Sequence, residues 1–226
     1  MDDLYVLPIE DWMVLVRQPE GFRKLPVFLL LHGWTGDENS MGIFATRLPP
    51  HAILVAPRGL FATPLGGFSW QSQQETKWSR IADFEPALAR LVELLSSRYL
   101  PKADFSRIHL VGFSQGAALA FTFALKHPDL IHSVAGLSGF MPDDAGDFVH
   151  KKLLAGKRFF LAHGTRDELV PVTKARQAID VLERAGAVIT YCEDDVGHKL
   201  SASCFRGLEA FFHGQANLSE PEPDSQ

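Results

Sequence analysis

Cysteine is scarce in this chain, with two residues, Cys192 and Cys204, among 226. That excludes a disulfide-dense secreted scaffold, and the pair has no metal-ligand spacing. The two are read as reduced, buried thiols, and a cytoplasmic location is expected with them; nothing else in the sequence supports a bond between them. A surplus of positive charge is also absent. Lysine and arginine total 22 against 27 acidic residues, a net charge of −5, which leaves no basic footprint for nucleic acid. No apolar run approaches the ~18 residues of a membrane span. Met1-Asp2-Asp3 is acidic where a secretory leader would be basic and then apolar. Repeats and internal linkers are missing too. What remains is an ordinary globular composition, 46% hydrophobic and 22% charged, at a length that suits one good-sized core rather than two.

Within that length, apolar runs alternate with helical stretches. "PVFLLLHG" at 26–33 and "AILVAPRG" at 52–59 are apolar runs closed by glycine, the pattern of strands buried on both faces. A helix is expected between them over Glu38–Arg47. Residues 83–100 read as an amphipathic helix with Asp83 as N-cap and proline in the first turn. There follow a strand at 107–113, a helix to His127 stopped by Pro128, and strands at 133–139 and 158–164. A helix over 173–185, a strand at 188–194 and a final helix over 201–213 complete the series. Residues 4–17 read as an antiparallel lead-in strand or hairpin, and residues 60–82 keep no period. An unstructured connection of that length commonly forms a pocket wall or a lid. Residues 214–226 are polar and acidic and are expected to be disordered, leaving residues 1–213 as a single domain. The alternation predicts an α/β fold, with a mostly parallel central sheet, helices on both faces and a ligand site beyond the carboxyl ends of the strands.

One sharp strand-to-helix turn carries chemistry. Gly112-Phe113-Ser114-Gln115-Gly116 places a serine between two glycines, after an apolar run and before an alanine-rich one. This is the G-x-S-x-G pattern that projects a serine hydroxyl above a sheet edge, with small neighbours making room for the turn. On its own it reads equally as a serine capping a helix. A nucleophilic serine needs a base, and the base needs an acid to orient it. Asp167, in "LAHGTRDELVP", follows one strand, and His198, in "EDDVGHKL", follows the last, in the order serine, acid, histidine. Asp143 and Asp144 are rival acids in a loop after another strand, while Asp194 and Asp195 sit too close to His198 and read as loop-solvating residues. His109, His127, His163 and His213 read as caps or surface residues. An oxyanion needs two backbone donors; the turn supplies the Gln115 N–H, and the loop "LHGWTGD" points to that of Trp34. His32 reads as a structural hydrogen-bonding residue tying that loop down. Trp34 and Trp70, in glycine-rich loops at the same edge, read as pocket walls in preference to core.

Taken together, "LHGWTGDE", "APRG", "GGFSW", "GFSQGAALA", "HGTRDELVP" and "GHKLS" resemble, in order, the phospholipase/carboxylesterase family of α/β-hydrolases, over residues 24–213. Their flavour is closer to the bacterial carboxylesterase branch than to the acyl-protein thioesterases. The resemblance implies an α/β-hydrolase fold with no large cap domain, no cofactor and no metal. It implies a Ser114–Asp167–His198 triad, with Trp34 and Gln115 forming the oxyanion hole. The expected activity is serine carboxylesterase, cleaving small to medium, mainly apolar esters. An acyl-protein or acyl-coenzyme-A thioesterase or lysophospholipase with the same triad is the alternative, and an inactive binding module the remote one. Trp34, Phe61, Leu65, Trp70, Phe140, Met141, Leu169 and Val170 are the expected substrate-pocket residues. The only expected partner is a small-molecule ester, with no nucleic acid and no membrane span, on a monomer or homodimer.

Overall fold

The computed structural model describes residues 2–21, 24–72, 78–149 and 152–216. Its strands are β1 (Asp2–Ile9), β2 (Trp12–Pro19), β3 (Leu25–Leu31), β4 (Ile53–Pro57), β5 (Phe61–Ala62), β6 (Phe68–Ser69), β7 (Ala103–Phe113), β8 (Ser133–Leu137), β9 (Arg158–Gly164) and β10 (Val188–Asp194). Its helices are α1 (Gly42–Ala45), α2 (Glu85–Leu94), α3 (Gln115–Lys126), α4 (Val172–Arg184) and α5 (Ala202–Ala216). Among the described residues eight strands form the main sheet, in the order β1-β2-β4-β3-β7-β8-β9-β10. The lead-in hairpin β1–β2 is antiparallel and joins β4 antiparallel. From β4 onward every neighbour is parallel.

The period-two alternation of each strand builds two cores. Val27, Leu29 and Leu31 of β3 point to one face, packing with α2, α3 and α4; Phe28 and Leu30 point to the other, where α1 and α5 lie. This is the α/β-hydrolase arrangement, with helices on both faces of a mostly parallel sheet. No helix among the described residues is long and apolar enough to cross a membrane.

Two expected helices are shorter than their sequences suggest. Only Gly42–Ala45 of 38–47 is helical, because the Asp37 carboxylate accepts the Asn39 N–H and the Ser40 hydroxyl in a local turn that competes with helix. Over 83–100 the helix begins at Glu85 and ends at Leu94. Asp83 caps the backbone N–H of Arg80 rather than that helix, in a 3-10 turn ahead of it. At the other end the chain turns at Ser96, whose carbonyl accepts the N–H groups of Tyr99 and Leu100. The last helix continues to Ala216, beyond the expected end at residue 213. Most of the expected disordered tail, residues 217–226, lies outside the described residues, as do residues 73–77 of the aperiodic segment.

Candidate active site

β7 and α3 meet at Ser114, whose φ of +53° and ψ of −115° lie where a side chain is disfavoured. Such a conformation costs roughly 1–3 kcal/mol and persists only when its surroundings dictate it. Here they do. A Cβ on Gly112 would strike the Gly116 carbonyl, and one on Gly116 the Leu31 carbonyl, so no other residue fits on either side. The Ser114 N–H donates to the Leu137 carbonyl at 2.8 Å. Behind it, residues 115–125 of α3 are buried, and that packing offsets the strain. Gln115 N is the first N–H of the helix, which no carbonyl of α3 itself can satisfy.

The loop after β9 carries Asp167 and the loop after β10 carries His198, and the two side chains meet. One Asp167 carboxylate oxygen accepts the backbone N–H groups of Leu169 and Val170 at 3.0 and 2.9 Å. The other lies 2.7 Å from His198 Nδ1. A carboxylate oxygen accepts, so Nδ1 carries the hydrogen and Nε2 keeps a lone pair for another proton. The His198 ring packs 5.0 Å, centre to centre, from Phe113, the residue before Ser114. The rival acids are engaged elsewhere: Asp143 pairs with Lys174, and Asp144 with the Ile81 N–H and Arg80. Asp194 and Asp195 hold the histidine loop in shape. Asp194 accepts the Ser203 hydroxyl and the Asp195 N–H, and Asp195 pairs with Arg166.

Cys192 and Cys204 overturn the expectation of free thiols, because they form a disulfide. Cys192 lies on β10 and Cys204 on α5, so the bond joins the two ends of the segment carrying His198. The sequence offers no sign of it, because only the packing of α5 on β10 brings the two sulfurs together.

Three of the quoted motifs turn out to stitch one wall. His32 Nδ1 is 2.7 Å from the Gly33 carbonyl, and its Nε2 accepts the Gly59 N–H at 2.8 Å. That requires the neutral ring protonated on Nδ1, and burial lowers its pKa accordingly. Glu38 and Arg58 form a bidentate pair at 2.7 and 2.8 Å, which holds the Glu38 carboxyl below its usual range. Thr35 N–H donates to Phe68 O, Phe68 N–H to Gly36 O, and Gly67 lies so close to the Thr35 carbonyl that no Cβ fits between them. The Gln115 side chain accepts the Trp70 N–H. Residues 60–72 of the aperiodic segment therefore form a wall with a short β5–β6 hairpin. Gly33, the residue before Trp34, lies against the elbow, where an added Cβ would stand 3.3 Å from Ser114 Cβ.

The expected pocket residues separate by exposure. Trp34 (53%), Leu65 (76%) and Leu169 (66%) are open to solvent, and Phe61 is half-buried. Trp70 is corrected to core: it is fully buried, with its indole N–H on the His32 carbonyl. Phe140, Met141 and Val170 are also buried, in the core on the α3 face. Phe140 packs edge-on to Trp78, and the remaining surface of Met141 opens onto a groove with Asp143, Lys174 and Arg184. Two of the histidines read as caps or surface residues are buried as well. His109 stacks on Phe28 and bonds Ser133 inside the sheet, and burial lowers its pKa to about 3. Among the described residues, no carboxylate is bonded to that His109–Ser133 pair. His163 lies under the Asp167 turn. Among the described residues, no group of three or more His, Cys, Asp or Glu is arranged to hold a metal ion.

Comparison with known proteins follows the same lines. The family model described as Phospholipase/Carboxylesterase matches residues 17–213. Acyl-protein thioesterase 1 of Emericella nidulans is 33% identical over 174 residues, 70% of each chain. Two solved carboxylesterases share the fold, each at 21% identity and a TM-score of 0.78. The one from Mesorhizobium loti aligns over 93% of this chain and 99% of its own, and the one from Bacillus cereus over 91% and 95%.

Proposed function

This chain belongs to the Phospholipase/Carboxylesterase family, hydrolases of the carboxylesterase and acyl-protein thioesterase type, and from that premise we propose that it is a serine carboxylesterase. Ser114 Oγ attacks the ester carbonyl carbon while His198 Nε2 takes its proton. The oxyanion accepts the N–H groups of Gln115 and Trp34. His198 returns the proton to the departing alcohol, leaving an acyl group on Ser114. Water, deprotonated by His198, attacks that acyl carbon, and collapse releases the acid and restores the serine. Asp167 holds the ring and offsets its positive charge. The observation that carries this reading is the 2.7 Å Asp167–His198 bond, formed by a ring that packs on the residue preceding Ser114.

Small to medium, mainly apolar esters suit the apolar side chains Trp34, Phe61, Leu65 and Leu169 in the loops around it. The test is hydrolysis of p-nitrophenyl esters of graded chain length, together with fluorophosphonate labelling. Ser114→Ala is expected to lower kcat at least ~1,000-fold, and the label is expected on Ser114. Retained activity would sink the mechanism, and an unlabelled serine with no turnover would select the inactive binding module. The 33% identity to an acyl-protein thioesterase favours one second reading, thioester cleavage by the same residues. Matched ester and thioester substrates separate the two by kcat/KM. A cytoplasmic location stays part of the proposal. In that compartment Cys192–Cys204 would be held reduced, and alkylation of thiols in intact cells reads which form is present.

A further inference from the structure

His163 has no part in the mechanism above, yet it is among the most enclosed polar side chains beside it. It is the penultimate residue of β9, four residues before Asp167, and its side chain and that of Asp167 are both wholly buried. Its Nε2 is 2.8 Å from the Val170 carbonyl and 3.4 Å from the Asp167 oxygen that also receives His198. Both neighbours can only accept, so Nε2 must carry the hydrogen. Nδ1 is buried without a hydrogen-bond partner among the described residues. We infer that His163 is a positioning residue for the acid–base pair: its Nε2–H bonds the Val170 carbonyl, ties down the Asp167–Val170 turn and sets the polarised N–H 3.4 Å from the Asp167 oxygen that meets His198. This rests on the proposed roles of Asp167 and His198.

The surroundings keep His163 uncharged. Burial is the largest influence and lowers its pKa, against the opposing pull of the Val170 carbonyl and the Asp167 carboxylate. The other titratable groups facing it are His198 and Glu193 of β10, and Glu193 is held by Arg176 of α4 and by the Tyr191 hydroxyl. A neutral donor steadies the carboxylate without cancelling the charge that His198 needs. Removing it leaves more negative charge on Asp167, which stabilises protonated His198 to higher pH. The acidic limb of kcat/KM against pH should then move upward.

The test compares His163→Leu and His163→Gln with the parent, using p-nitrophenyl butyrate from pH 5 to 9. His163→Leu is expected to lower kcat ~10- to 50-fold with KM within about twofold, and to move the acidic limb up by several tenths of a pH unit. His163→Gln keeps an N–H donor and is expected to recover most of both. A parent-like kcat and limb in His163→Leu overturns the inference. So does equal loss in both variants with an unmoved limb, the mark of packing alone. The unsubstituted protein gives an independent readout, which stands even if His163→Leu does not fold. Histidine 15N NMR at about pH 8 should show one ring, assigned by its loss in His163→Gln, as an Nε2–H tautomer. An Nδ1–H tautomer overturns the inference. Failure of the broader mechanism is distinguished by Ser114→Ala, whose retained activity would leave that tautomer unchanged.

Discussion

The two sides of the candidate site are held by different physics. On the oxyanion side, the loop carrying Trp34 and the wall at 59–71 are knit by the backbone bonds Thr35 to Phe68 and Phe68 to Gly36, with the Gly59 N–H on the buried His32 ring. Glycines at 59, 67 and 116 let the chains approach where no side chain fits. On the acid–base side, the backbone bonds Thr165 to Asp194 and Arg166 to Val196 are joined by side-chain fastenings that the other side lacks, the Cys192–Cys204 bond, the Asp194–Ser203 hydrogen bond and the exposed Arg166–Asp195 pair. Backbone stitching is indifferent to redox conditions and salt but intolerant of substitution. Side-chain fastening tolerates substitution but depends on the medium. The oxyanion side should therefore break by mutation and the acid–base side by chemistry.

The largest effect is expected at Gly67. Its φ of +71° and the Thr35 backbone in the path of any Cβ mean that Gly67→Ala must push the two loops apart. Esterase kcat/KM should fall at least ~30-fold, and the thermal midpoint by about 10 °C, read by activity and circular dichroism. Unchanged kcat/KM would show that the wall does not set the oxyanion loop. Opening the disulfide is expected to cost less activity for a similar thermal shift. Closing a loop of about a dozen residues contributes about 3 kcal/mol in the chain-entropy description, a thermal shift of about 6–12 °C at this size. Because other fastenings of the His198 loop remain, activity should fall only ~3- to 10-fold on reduction by excess dithiol, with two thiols titrated. A larger loss than in Gly67→Ala would reverse the comparison.

The sheet and its helices were legible in the sequence because their causes are local, and the Asp167–His198 meeting because both residues follow the carboxyl ends of neighbouring parallel strands. Strand runs such as "PVFLLLHG" alternate faces in a fixed way, and the glycines of the Ser114 turn answer to steric limits within a few residues. The wall at 59–72 was not legible, because each of its bonds pairs a backbone N–H or C=O with a group distant in sequence, such as Gly59 with the His32 ring and Trp70 with the Gln115 side chain. Trp70 shows the same limit: an aromatic beside glycine reads alike as pocket wall or as core, and only the His32 carbonyl meeting its indole N–H decides. The helix expected over 38–47 failed for a local reason that was readable, since Asp37 and Ser40 favour a turn over a helix. His163 reads from the sequence as a cap or surface residue, although its place four residues before Asp167 is a usable signal. Cys192 and Cys204 carried none, since their pairing depends on how α5 lies against β10.

The smallest effect is expected at Arg166, and it tests whether exposed fastenings matter at all. Arg166 and Asp195 make a 2.7 Å ion pair beside the His198 loop, but their side chains are 70% and 74% exposed. Water and salt screen such pairs, and holding two long side chains in one geometry costs entropy. The Arg166 backbone N–H also donates to Val196 O, a bond that substitution leaves intact. Arg166→Ala should therefore keep kcat within about twofold and the thermal midpoint within about 2 °C, in low salt and high salt alike. A loss comparable to that on reduction would mean that the ion pair, rather than the disulfide, holds His198 against the elbow.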